Sequence, residues 1–82
     1  MIKGIRVLIP KNIKTLVYKA TKNCKICCRS CSSGVYIGDT TVSLVNGYRL
    51  ISQECSDFEM SKDDGLYAIA DCPCSISLFI SS

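Results

Sequence analysis

Residues 75–81 read SISLFIS. Successive side chains of an extended chain point to opposite faces, so Ile76, Leu78 and Ile80 fall on one side and Ser75, Ser77 and Ser81 on the other. Phe79 alone breaks the alternation. The pattern predicts a strand with one face in a core and the other in water. Similar short segments lie upstream: IRVLI at 5–9, KICCRS at 25–30, GVYIG at 34–38, YRLIS at 48–52, DFEM at 57–60 and LYAIA at 66–70. Turn-forming residues separate them at Pro10, Ser32-Ser33-Gly34, Gly38-Asp39, Asn46-Gly47 and Lys62-Asp63-Asp64-Gly65. Short strands with reversals about every ten residues predict an all-β chain, a small antiparallel β-sandwich or jelly-roll-like barrel of about seven or eight strands.

One stretch is ambiguous. In PKNIKTLVYKATK, residues 10–22, Ile13, Leu16, Val17 and Ala20 have helical spacing and Pro10 could open a helix. The β-rich run TLVYKAT favours a strand. The reversals are expected to use positive φ angles at Asn46-Gly47 and at Gly38, and Asp64-Gly65 is expected to restart the chain before LYAIA.

The 82 residues suffice for one domain, residues 1–82, with one small core. A core of that size recovers little more than the entropy of ordering the chain, so help from a metal, a crosslink or a neighbouring subunit is expected. No run of about 18 apolar residues is available to span a bilayer. Pro10, Lys11 and Lys14 interrupt the N-terminal apolar patch before a signal-peptide core could form, which predicts a soluble protein made in a reducing cytoplasm.

The net charge of +3 conceals an asymmetry. Lys3, Arg6, Lys11, Lys14, Lys19, Lys22, Lys25 and Arg29 precede every acid. Beyond them Arg49 and Lys62 stand against Asp39, Glu54, Asp57, Glu59, Asp63, Asp64 and Asp71. If the two halves occupy different faces, like copies attract head to side, or the basic face sits on an acidic partner. Otherwise the charges only solvate opposite strands.

Cysteine is the unusual component. Cys24, Cys27, Cys28 and Cys31 form two back-to-back C-x2-C pairs, the spacing of a zinc site. Lys25-Ile26 and Arg29-Ser30 contain no residue suited to the sharp turn such a site requires. In an extended segment Cys24 and Cys28 share one face and Cys27 and Cys31 the other, so neither pair closes on one ion. The alternatives at this point are a four-cysteine metal site and small residues packed in a strand. Cys72 and Cys74 flank Pro73, and Cys55 opens another segment. The total of seven is odd, so one thiol stays free or pairs with another chain.

No histidine is present, which removes most schemes that activate a cysteine nucleophile. Asp57 and Glu59 would share a strand face and Asp63-Asp64 sit in a turn, where solvation accounts for them better than acid–base work or calcium binding. The glycines are isolated and form no phosphate loop. These features predict a non-enzymatic protein with no small-molecule substrate and no cofactor. A basic half carrying Tyr18 and Tyr36 could form a stacking groove for nucleic acid, but paired aromatics within a basic strand pattern are missing.

The segment from Ser32 to Asp71 resembles a pattern of small virion proteins of tailed bacteriophages. Its carriers are Val35–Gly38 (VYIG), Val42 through Asn46-Gly47 to Leu50, Phe58, Leu66–Ala70 (LYAIA) and the strand Ile76–Ile80. The resemblance implies a β-sandwich that serves as a capsid decoration or cement protein, or as a head, neck or tail component. It implies binding to the major capsid protein or other virion proteins, and a homo-oligomer, with a trimer at threefold positions expected. It also places residues 22–30 on a strand before SSGVYIG. The cysteine content departs from that family. The basic N-terminal segment is the expected contact with the shell.

Overall fold

The computed structural model describes residues 2–30, 34–50 and 55–81. Within them lie eight strands: β1 (Ile2–Ile9), β2 (Thr15–Lys19), β3 (Cys24–Ser30), β4 (Val35–Gly38), β5 (Tyr48–Leu50), β6 (Cys55–Met60), β7 (Gly65–Ala70) and β8 (Cys74–Ser81). They form two four-stranded sheets, one in the order β1-β8-β3-β6 (sheet A) and one in the order β2-β7-β4-β5 (sheet B). β1 pairs with β8, β2 with β7, β3 with β6 and β4 with β5, all antiparallel. The chain is thus one long hairpin folded about the β4–β5 connection and rolled up. β3 against β8 and β4 against β7 then knit each half into a sheet. This strand order is that of an eight-stranded jelly roll.

Alternation of apolar and polar residues fixes which face each strand buries. On sheet A, Ile76, Leu78 and Ile80 of β8, Cys24, Ile26 and Cys28 of β3 and Met60 of β6 turn inward. On sheet B the inward residues are Val17, Val35, Ile37, Leu50, Leu66, Ala68 and Ala70, and both sets belong to one cluster. Phe79, the exception in SISLFIS, points outward and is 61% exposed. The ambiguous stretch is extended over Thr15–Lys19. A register shift between Leu16 and Tyr18 marks a β-bulge, so Val17 is buried while Tyr18 also packs against the core. The bulge falls at Leu16 and Val17, two of the four residues whose spacing looked helical.

The glycine expectation is overturned. Positive φ occurs at Asn12 (57°) and Asp63 (72°), and at none of the five glycines. Ser43 and Asn46 exchange backbone hydrogen bonds of 2.9 and 3.3 Å, so the chain reverses at Leu44-Val45, one step before Asn46-Gly47. Gly47 serves by being small: a Cβ there would lie 2.6 Å from Val42 Cγ2 and 3.2 Å from the Ile37 carbonyl oxygen. Asn12 takes the left-handed conformation where the chain crosses from sheet A to sheet B, and its N–H donates to the Ala70 carbonyl at 2.7 Å. In the β6–β7 turn, the Ser61 N–H donates to the Asp64 carboxylate at 2.9 Å while Asp63 turns the chain. The expected strand at 48–52 covers Tyr48–Leu50; its last two residues lie outside the described ones.

Candidate interaction surface

β3 runs through the middle of sheet A, with Cys24 and Cys28 inward and Cys27 outward. Cys24 and Cys27 therefore point to opposite faces, and CKIC cannot clasp an ion. Cys31 lies outside the described residues. Among the described residues no group of three or more His, Cys, Asp or Glu side chains is arranged to hold a metal. Cys24–Ser30 is a strand in which Cys24 and Cys28 pack in the core as small residues and Cys27 lies on the opposite face, as the alternation indicates.

Burial pushes the Cys28 thiol up to about 12, with a smaller contribution from neighbouring Cys27. Cys27 stands opposite Asp57 of β6 and rises to about 11, first through burial and then through hydrogen bonds to Asp57 and Cys55. Both are thiols rather than thiolates at neutral pH, and poor nucleophiles for that reason. Cys74 opens β8, and Cys72 sits in the bend before it.

The two charge halves do not occupy two faces of the molecule. Basic β1 and β3 share a sheet with acidic β6. The registers place the outward residues of sheet A in rows: Ser81, Lys25, Glu59; then Gly4, Phe79, Cys27, Asp57; then Arg6, Ser77, Arg29, Cys55. Charge changes sign across the width of the sheet, from Arg6 on the β1 edge to Asp57 and Glu59 on the β6 edge. Asp57 and Glu59 share the outer face, as their spacing indicates.

Tyr18 and Tyr36 do not form a groove. Tyr18 packs against the core, whereas Tyr36 pairs with Ile69 and lies with it on the outer face of sheet B. Tyr67 shares that face with Tyr36, and the Lys14 ammonium stands 5.7 Å from its ring centroid.

Two features emerge only from the fold. Among the described residues β1 pairs only with β8 and β6 only with β3, so both edges of sheet A present unpaired backbone. Beside β6 an open groove between the sheets is lined by Ile37, Tyr48, Phe58 and Leu66, and Tyr48 is 62% exposed. Leu8, on β1, is 76% exposed. The basic segment expected to meet a partner is this β1 edge and the corner that follows it, with Lys3, Arg6, Lys11 and Lys14 all exposed. Leu8 interrupts the apolar–polar alternation of β1, the one local signal that could have pointed here. No family model, curated protein or solved structure matches the chain.

Proposed function

We propose that this chain is a non-enzymatic structural protein of a bacteriophage virion, made in the host cytoplasm, that decorates or cements the shell by binding a repeated site on the major capsid protein. The observation that carries the reading is the placement of the motifs that resemble phage virion proteins. LYAIA, VYIG and YRL are β7, β4 and β5, three adjacent strands of one sheet in continuous register. The rolled double-sheet architecture is one that viral capsid domains use, although lectins and cupins share it, so fold supports the reading without deciding it. Energetics agree with the role: a small domain gains stability from every area it buries on neighbours, and a symmetric shell repeats that gain. A homotrimer at threefold positions suits such a site.

Adding purified chain to particles that lack it tests the reading. The expected result is saturable binding at a fixed ratio to the capsid protein, in symmetric copies visible by electron microscopy, with a higher temperature of shell opening. A few copies confined to one vertex would reassign the protein to the neck or tail. Absence of saturable binding would overturn the proposal.

A further inference from the structure

We propose that the β6 edge of one copy takes the β1 edge of the next, an antiparallel head-to-tail contact between identical chains. The inference deepens the homo-oligomer named above and identifies its interface.

Three observations carry it. The first is polarity. Each neighbouring pair in the order β1-β8-β3-β6 is antiparallel, so β6 runs opposite to β1. A copy displaced sideways in the plane of the sheet presents β1 antiparallel to β6 and continues the hydrogen-bond ladder.

The second is charge. β1 carries Lys3 and Arg6 and no acid, whereas β6 carries Asp57 and Glu59 and no base. Charged residues on an edge normally keep sheets apart. Here two β1 edges repel and two β6 edges repel, but unlike edges attract, which selects the head-to-tail arrangement over a twofold one.

The third is unfinished burial. Ile5 and Val7 on β1 and Phe58 on β6 pack against the core yet stay partly exposed, and the groove beside β6 is apolar. One register satisfies both faces. Placing Arg6 opposite Asp57 on the outer side sets Ile5 opposite Phe58 on the inner side and Leu8 opposite Cys55. A contact of this kind closes into a ring when the twist allows and otherwise continues as a filament. A ring of three copies is the trimer.

Sedimentation velocity of the intact chain over a concentration series, paired with a crosslinking trap, tests the contact. Wild-type chain is expected to associate, and more weakly at high salt. Arg6→Glu or Asp57→Lys should each weaken association about tenfold, and combining both in one chain should recover most of the loss. Circular dichroism confirms that each variant is folded. If Asp57→Lys fails to fold, the trap stands alone: Leu8→Cys with oxidised glutathione should give intermolecular disulfides between position 8 and Cys55, mapped by peptide mass and abolished by Cys55→Ser. An oligomer whose mass survives Arg6→Glu and yields no such crosslink overturns the edge contact and leaves the trimer standing. A chain that stays monomeric up to about 1 mM overturns both, while the particle-binding assay judges the decoration reading separately.

Discussion

Sheets A and B bury a common core by different means. Sheet A is built from long strands, with eight residues in each of β1 and β8, and strict alternation places its residues on both faces. Sheet B has strands as short as three residues, a bulge in β2, and connections that carry much of its definition. Cutting contacts in the two sheets should therefore have different consequences. In sheet A stability resides in the strand interior, and in sheet B it resides also in the turns.

The largest effect is expected at Leu78, fully buried at the centre of sheet A. Leu78→Ala should cost about 3 kcal/mol or more, because it removes transfer energy and leaves a cavity between two paired strands that cannot collapse. Leu50→Ala removes the same atoms from an equally buried site on β5, an edge strand of three residues that can relax into the gap. Its cost should sit near the lower end of the range, about 2 kcal/mol. Urea unfolding of both variants makes the measurement, and equal losses would erase the distinction between the sheets.

Gly47 tests the turn side of the comparison. Gly47→Ala drives a methyl into Val42 Cγ2 at 2.6 Å and against the Ile37 carbonyl, and should cost about 2 kcal/mol. The backbone there has no positive φ, so the whole cost is steric. Val42→Ala in the same chain should return part of it. A double-mutant cycle with no coupling would show that Gly47 is needed for its backbone instead.

Cys28 brings the next effect, which belongs to sheet A. Its thiol rises from an ordinary value of 9.0 to about 12 in the folded chain, so folding favours the neutral form. The stabilisation is complete below pH 9.0, where the unfolded thiol is also neutral, and is lost as pH climbs toward the folded value of about 12. Between these limits stability should fall with rising pH through this group. Cys28→Ala should flatten most of that slope. Cys27→Ala, at the outer face, should remove a smaller part, because solvent screens a half-exposed thiol.

What the sequence discloses follows the same division. The alternation in SISLFIS and KICCRS depends only on neighbouring residues, and it gave the strands of sheet A and the faces of Cys24, Cys27 and Cys28 correctly. The face of Tyr18 was not readable, because a bulge in β2 shifts the period by one residue and leaves no local mark. The turn at Leu44-Val45 was hidden for a related reason: two apolar residues occupy it, and Asn46-Gly47 beside it advertises a reversal two residues further along the chain. The opposite signs of the two edges could be counted in sequence, but their meaning depends on strand order. β1 and β6 become the two rims of one sheet only after β8 and β3 insert between them.

The smallest effect concerns the β4–β5 connection. Thr41 donates to Asp39 Oδ1 twice, from its hydroxyl at 2.6 Å and its backbone N–H at 2.8 Å. Those bonds hold the Asp39 carboxyl below its ordinary range, the hydroxyl contributing most and Lys14 adding a weaker attraction. A carboxylate with a depressed folded value stabilises above its ordinary pKa, and the contribution disappears as pH falls through the folded value. Thr41→Val deletes the hydroxyl and keeps the branched shape, so Asp39 should move part of the way back, as carboxyl carbon shifts in an NMR titration would report. The Val42 N–H bond to the Asp39 carbonyl, at 3.1 Å, is untouched and should keep Val42 beneath Gly47. If Asp39 does not move, the turn is held by its backbone alone, and sheet B depends on side-chain chemistry less than the contrast with sheet A requires.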